Sequence, residues 1–161
     1  MATEAVSPVE SRLEALVDAA SFRPLRSAVG DGVLAGSGTV DGAPVFCWAQ
    51  DGSFRGGSLG TAGGETIARV LALADRAGAP VVGFPESGGA RVQEGVAALS
   101  AYAALFRAQA NARVPLISVV TGCMLKTLDL RTLDRRRCLL QPTARNSRAC
   151  ERSRQPMTSR R

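Results

Sequence analysis

A pair of glycines, Gly88 and Gly89, constrains this chain more than any other feature. They follow a short apolar run at residues 81–84 and precede a long alanine-rich stretch with helical periodicity. A strand that leads into a helix through two glycines presents bare backbone N–H groups at a helix N-terminus, and such groups attract negative charge. The sequence therefore predicts an anion-binding turn at this point.

The segments around this turn alternate between helix and strand patterns. Ser7 followed by Pro8 and Glu10 is typical of a helix start, and Asp41-Gly42 between two apolar runs predicts a β-hairpin. The order of elements predicts an α/β domain with buried, parallel strands. Helices are predicted at 7–20, at 65–77 and after Gly89, and strands at 32–40, 43–49, 81–84 and 116–120.

The helix after Gly89 has apolar residues on one common stripe. They recur at helical spacing, and they are Val92, Val96, Leu99, Ala103 and Phe106.

A second glycine-rich segment, residues 51–60, follows the hairpin, with Gly56, Gly57 and Ser58 at its centre. A loop of this kind can approach a phosphate or nucleotide closely, and a tight structural turn is the alternative. It lacks the Gly-Lys-Ser/Thr ending of a P-loop, so the sequence does not indicate ATP hydrolysis.

Several kinds of chemistry are excluded by the residues that are missing. The chain has no histidine, which excludes Ser-His-Asp and Cys-His mechanisms and a His-ligated metal site. Its four cysteines include no CxxC pair, so we predict no metal and no disulfide framework. There is no apolar run of about 18 residues and no secretion signal, so we expect a cytoplasmic protein without a membrane span.

Composition divides the chain near Gly122. Residues 1–122 carry 9 basic and 11 acidic side chains, residues 123–161 carry 11 and 3, and all 17 glycines lie at or before Gly122. We expect a disordered basic tail over 123–161. A tail that binds nucleic acid or a membrane is the alternative, although it lacks aromatic side chains to stack on bases. The abrupt change also raises the hypothesis of an out-of-frame C-terminus.

Three segments together resemble the carboxyltransferase (beta) subunits of biotin-dependent acyl-CoA carboxylases, of the acetyl-CoA and propionyl-CoA type. They are GGSLG at 56–60, SGGARVQEG at 87–95 and VPLISVVTG at 114–122. The resemblance implies an α/β, crotonase-like (ClpP/crotonase) fold, a spiral of strand–helix turns. Residues 1–122 would form a truncated, partial carboxyltransferase N-terminal domain, and 123–161 an atypical tail.

The resemblance also implies a reaction and a site. The family transfers a carboxyl group from carboxybiotin, held on a partner carrier protein, to the α-carbon of an acyl-CoA through a thioester enolate. Backbone N–H groups would stabilise the enolate oxygen. The expected donors are Gly88, Gly89 and Ala90, assisted by the N-terminus of the helix after them. The expected substrate-binding residues are Gly56, Gly57, Ser58, Ser87 and Arg91.

The implied partners are biotin carboxylase and biotin carrier subunits, with homo-oligomers among full-length relatives. The segment after Gly122, residues 123–126, lacks the glycines of the family's second oxyanion turn. We therefore expect half of an active site, inactive on its own. Two alternatives stay open: a malonyl-directed decarboxylase subunit of the same fold, and a non-catalytic assembly or binding module.

Overall fold

A six-stranded mixed β-sheet forms the centre of the fold. The structure, a computed structural model, describes residues 7–25, 31–120 and 138–140. The strands in chain order are β1 (Arg23–Pro24), β2 (Val33–Val40), β3 (Ala43–Gln50), β4 (Ser58–Leu59), β5 (Val81–Phe84), β6 (Gly89–Ala90), β7 (Leu116–Val120) and β8 (Cys138–Leu140). The main sheet has the order β1-β2-β3-β5-β7-β8, and β4 pairs with β6 separately.

The sheet changes from antiparallel to parallel pairing at β3. The predicted hairpin is confirmed: β2 and β3 are antiparallel, with Val40 opposite Ala43. Asp41 and Gly42 have φ values of 50° and 77°, as a type I′ turn requires. Strands β3, β5, β7 and β8 then run parallel, so their carboxyl ends lie along one edge of the sheet.

Helices cover both faces of the sheet. They are α1 (Pro8–Glu14), α2 (Thr61–Ala77) and α3 (Val96–Asn111), and two short 3₁₀ helices lie at Phe54–Gly57 and Val92–Glu94. Helix α2 packs against one face and against α3, and its Ile67 and Leu71 join Val81 and Trp48 in one core cluster. Helix α1 packs on the other face, where Leu13 contributes to a second cluster.

All three predicted helices begin or end elsewhere. Helix α2 begins at Thr61, four residues before the predicted start at residue 65. Helix α1 ends at Glu14 instead of residue 20. The chain leaves the helical path because the carboxylate of Asp18 accepts hydrogen bonds from the hydroxyl of Thr39 and from the N–H groups of Asp41 and Gly42. The prediction that a helix begins directly after Gly89 is wrong. Gly89 belongs to strand β6, and α3 begins seven residues later, at Val96.

The tail is described at one point only. Strand β8 pairs with β7 in parallel register, with Ser118 opposite Cys138. The rest of residues 123–161 lies outside the described residues, so the predicted disorder and the boundary at residue 122 stay predictions. Within the described part of the chain, no helix is long and apolar enough to cross a membrane.

Candidate functional site

The two glycine-rich segments meet at the edge of the sheet where β3 and β5 end. They pair as the parallel strands β4 and β6, with Ser58 opposite Gly89 and Leu59 opposite Ala90. The N–H of Gly88 donates to the carbonyl of Gly57 at 2.8 Å, which extends the pairing by one step. The structure thus pairs residues that lie 31 positions apart in the sequence, at the edge where parallel sheets bind ligands.

Glycine is required at this junction for space and for backbone conformation. A Cβ on Gly88 would overlap with the carbonyl oxygen of Gly56, and a Cβ on Gly57 would overlap with that of Glu86. Gly89 has open space around it but a φ of +100°, which a residue with a side chain rarely adopts. The two loops therefore approach closely only because these positions carry no side chain.

The three predicted oxyanion donors differ in what their N–H groups contact. Gly88 donates to Gly57, and the Gly89 N–H donates to the Ser87 hydroxyl at 3.1 Å. The N–H of Arg91 donates to the Leu59 carbonyl at 2.9 Å, and successive N–H groups of a strand point to opposite sides. The N–H of Ala90, one residue earlier, therefore faces away from β4 towards the outside of the junction.

The N-terminus of the helix after Ala90 was expected to assist these donors, and the structure corrects this expectation. Because α3 begins at Val96, its first turn does not follow Ala90 directly. The helix that begins beside the junction is α2, and two carboxylates occupy its N-terminus. Glu94 accepts from the N–H of Thr61 at 2.7 Å, and Asp31 accepts from the N–H of Gly63 at 2.6 Å. The hydrogen bond from the Thr61 N–H is the main cause that lowers the pKa of Glu94 to about 2.

Arg91 lies between these two carboxylates. Its side chain is 2% exposed and forms ion pairs with Asp31 and Glu94. It also donates to the carbonyl of Ser58 at 2.8 Å and lies over the Phe54 ring, 5.5 Å from its centroid. The guanidinium of Arg91, a predicted substrate-binding residue, therefore binds groups of the protein itself.

Gln50 is a site residue that the sequence analysis missed. It ends strand β3, is 3% exposed, and donates through Nε2 to the carbonyl of Gly57 at 2.8 Å. The same carbonyl accepts the N–H of Gly88, so Gln50 fixes the acceptor on which the junction depends. The available signal was a polar residue at the end of the apolar run 43–50.

Tyr102 is a second residue that was missed. Its hydroxyl lies 3.0 Å from the Ser87 hydroxyl, which is itself buried and accepts the N–H of Gly89. Burial raises the pKa of Tyr102, so its hydroxyl stays protonated near neutral pH. The sequence presents this tyrosine only as one member of an alanine-rich helix, and no local pattern marks it.

The remaining predicted substrate-binding residues lie in the same loop. Gly56 is exposed with a φ of +65°, and a Cβ there would meet nothing within 4 Å. The Ser58 hydroxyl donates to the carbonyl of Arg55 at 2.9 Å. Among the described residues, no group of three or more Cys, Asp or Glu side chains is placed to hold a metal ion.

The known proteins that this chain resembles transfer or remove carboxyl groups. A sequence profile described as the carboxyl transferase domain matches residues 7–125. The propionyl-CoA carboxylase beta chain of Saccharopolyspora erythraea is 50% identical over 95 residues, which make up 58% of this chain and 17% of that protein. The methylmalonyl-CoA decarboxylase subunit alpha of Veillonella parvula is 47% identical over 95 residues, 58% of this chain and 19% of that one.

A solved structure agrees with these matches. Transcarboxylase 12S, crystallised with methylmalonyl-coenzyme A and methylmalonic acid, superimposes with a TM-score of 0.67 at 34% identity, over 71% of this chain and 26% of that chain. Its fold and its sequence therefore both correspond to the described part of this chain. The chain spans 17% to 26% of the length of these three proteins.

Proposed function

The chain belongs to the carboxyl transferase domain family, and from this premise we propose that it acts as a carboxyltransferase component of an acyl-CoA carboxylase. The substrate would be an acyl-CoA such as propionyl-CoA or acetyl-CoA, in the cytoplasm. The carboxyl group would come from carboxybiotin on a separate carrier protein. This chain's own residues would bind the thioester and hold its oxygen while the α-carbon carries negative charge.

One observation carries this proposal: β4 and β6 pair in parallel at the carboxyl edge of the sheet, and the N–H of Arg91 donates to the Leu59 carbonyl. Because N–H groups alternate along a strand, we infer that the N–H of Ala90 points away from β4. Removal of the α-proton from a thioester moves charge onto the thioester oxygen. A fixed N–H donor aimed at that oxygen stabilises the charge without reorganising, and the loss of one such donor typically reduces a rate about 10²–10³-fold. Ala90 is the proposed donor, and Gly88 and Gly89 set its direction.

The polar side chains around the junction already bind protein groups, so the proposal rests on a backbone donor. Ser87, Gln50 and Arg91 are buried, and each binds protein groups. Among the described residues, these side chains form no separate set of donors and acceptors for a biotin ring. Because the backbone donor suits a thioester oxygen, we assign the thioester side of the reaction to this chain.

Calorimetric titration with propionyl-CoA and acetyl-CoA tests the first half of the proposal. We expect saturable binding at micromolar to millimolar ligand, and a loss of at least tenfold in affinity for the Gly88→Ala variant. The matched control is Gly42→Ala in the hairpin turn, where a Cβ meets nothing within 4 Å and the φ of +77° strains the backbone away from the junction. No binding by the folded wild-type chain at millimolar ligand would contradict the proposal.

A carboxylation assay tests the second half. Radiolabelled bicarbonate, ATP, propionyl-CoA and purified biotin carboxylase and biotin carrier subunits are incubated with the chain. The chain alone with acyl-CoA is expected to bind without turnover. Carboxyl transfer from carboxybiotin to propionyl-CoA by this chain alone would contradict the expectation that it supplies only one side of the site.

Decarboxylation is a second candidate, favoured by the 47% identity to the Veillonella parvula decarboxylase subunit. Loss of carbon dioxide from methylmalonyl-CoA or malonyl-CoA passes through the same enolate, so the Ala90 N–H would serve both reactions equally. Release of labelled carbon dioxide from methylmalonyl-CoA in the absence of biotin would favour this candidate over carboxyl transfer.

An assembly role is a third candidate, favoured by the exposed apolar side chains before and along α3. Val92 and Val96 are 79% and 81% exposed, and Leu99 and Phe106 are also exposed. Several large apolar side chains exposed near one another in the chain are typical of a surface that another protein covers. Normal acyl-CoA binding by a Leu99→Glu variant that no longer self-associates in sedimentation would separate assembly from substrate binding.

A further inference from the structure

We propose that Tyr102 is a positioning residue for the thioester-binding turn: through the Ser87 hydroxyl it fixes Gly89 and so aims the N–H of Ala90. This inference rests on the proposed function, because it assigns a reason for the aim of the donor. It concerns a residue on α3 that belongs to none of the three segments with family resemblance.

The first link is the hydrogen-bonded chain from α3 to the turn. The Tyr102 hydroxyl lies 3.0 Å from the Ser87 hydroxyl, and the Gly89 N–H donates to the same Ser87 oxygen at 3.1 Å. A serine oxygen has two lone pairs and one proton. Whichever of the two hydroxyls donates, the Ser87 oxygen keeps a lone pair for the N–H of Gly89.

The second link is the effect on the backbone. A serine that accepts the N–H two residues later closes a small ring and so fixes the peptide units inside it. The N–H of Gly89 closes this ring, and the chain leaves it at a Gly89 φ of +100°, a conformation that residues with a side chain rarely adopt. The direction of the next N–H, that of Ala90, follows from this conformation.

The third link is the support of Tyr102 itself. Its ring packs against Phe106, with centroids 5.6 Å apart, and its side chain is half-buried on α3. Helix α3 packs along α2, where Gly64 faces Ala101, the neighbour of Tyr102. A hydroxyl held on a packed helix is a more rigid anchor for Ser87 than a water molecule would be.

The test compares affinities for a ground-state and an enolate-like ligand. Propionyl-CoA represents the first, and the nitronate anion of α-nitropropionyl-CoA represents the second. Tyr102→Phe removes one oxygen and keeps the ring, and Ser87→Ala removes the other end of the link. We expect Tyr102→Phe to bind the nitronate about three- to tenfold more weakly, the range of one net hydrogen bond, while propionyl-CoA affinity changes less than twofold.

The double variant and a matched control complete the design. Ser87→Ala combined with Tyr102→Phe is expected to lose no more nitronate affinity than Ser87→Ala alone, because both changes break one link. Thr66→Val removes a buried hydroxyl from α2 that donates to the Ala62 carbonyl, away from the junction. Thr66→Val is expected to bind both ligands as the wild type does.

The outcomes separate this inference from the proposed function. Equal nitronate affinity for wild type and Tyr102→Phe, or equal losses for both ligands, overturns the positioning role. Wild-type protein that binds neither ligand contradicts the proposed function instead. In that case amide NMR decides: we expect a shifted Gly89 amide resonance and faster exchange in Tyr102→Phe but not in Thr66→Val, and an unchanged resonance overturns the inference.

Discussion

The guanidinium of Arg91 forms an ion pair with the carboxylate of Asp31, which lies 60 residues earlier in the chain. The same group binds Glu94 and the carbonyl of Ser58. One buried cation therefore joins the entry to β2, the glycine loop at β4 and the segment after β6. Two interactions hold the glycine loops together: the contacts of this cation and the pairing of the two backbones.

Replacing Arg91 is expected to loosen all three segments. Arg91→Met keeps much of the volume but leaves two carboxylates without their cation, and breaking a buried ion pair is costly. We expect the free energy of unfolding in urea to fall by about 2–4 kcal/mol. Arg69→Met, on the exposed side of α2, is the control and is expected to stay within about 0.5 kcal/mol of wild type. A loss for Arg91→Met as small as the control's would contradict this role.

Glu94 is expected to make stability depend on pH in acid. Its pKa falls from 4.5 to about 2 in the folded protein, mainly through the Thr61 N–H. A lowered folded-state pKa favours the native state above pH 4.5, and this contribution is lost as the pH falls from 4.5 towards 2. The stability difference between wild type and Glu94→Gln should therefore shrink over that window. Urea titrations at stepped pH measure it, and a constant difference would contradict the role of the carboxylate.

The elements that sequence alone predicted are those whose cause is local. The hairpin follows from Asp41-Gly42, which adopt positive φ with little strain, and the apolar run 81–84 is a buried strand whichever neighbours it has. The family resemblance likewise depends on continuous motifs. These features need no information from distant parts of the chain.

The features that sequence missed depend on contacts between distant residues. The start of α3 was misplaced because β4 draws Gly89 and Ala90 into a ladder, which overrides the helical pattern downstream. The early end of α1 depends on the hairpin turn that Asp18 caps. Gln50 and Tyr102 act through partners 7 and 15 residues away, so no spacing rule finds them.

Cys47 is expected to resist alkylation in the native protein. It lies in the core beneath α1, and burial raises the pKa of its thiol to about 11. Iodoacetamide reacts with the thiolate, and at pH 8 the thiolate fraction is on the order of 10⁻³. Peptide mass spectrometry should show labelling of Cys47 in urea but not in buffer. Labelling in buffer as fast as in urea would place this thiol outside the core.

Gly88→Ala is expected to separate the two loops. The added Cβ meets the carbonyl of Gly56, a backbone atom that cannot move aside alone. We expect a loss of about 1–3 kcal/mol in unfolding free energy together with loss of acyl-CoA binding. Gly78→Ala, at the left-handed C-cap of α2, is the control, because it strains the backbone by about 1 kcal/mol without touching the site. Acyl-CoA binding that survives in Gly88→Ala would contradict the need for close approach.

Gln50 provides a test of whether its side chain keeps the Gly57 carbonyl in place at the junction. Gln50→Glu keeps the shape of the side chain but turns a carboxylate towards the Gly57 carbonyl, to which Nε2 donates in the native protein. In this buried position the carboxylate and the Gly57 carbonyl are both hydrogen-bond acceptors and repel each other. Gln50→Leu removes the donor without adding this repulsion. Acyl-CoA affinity measured by calorimetry should therefore fall for Gln50→Leu and fall further for Gln50→Glu. The exposed Gln93→Leu is the control, and equal affinities in all variants would show that Gly88 alone keeps the Gly57 carbonyl in place.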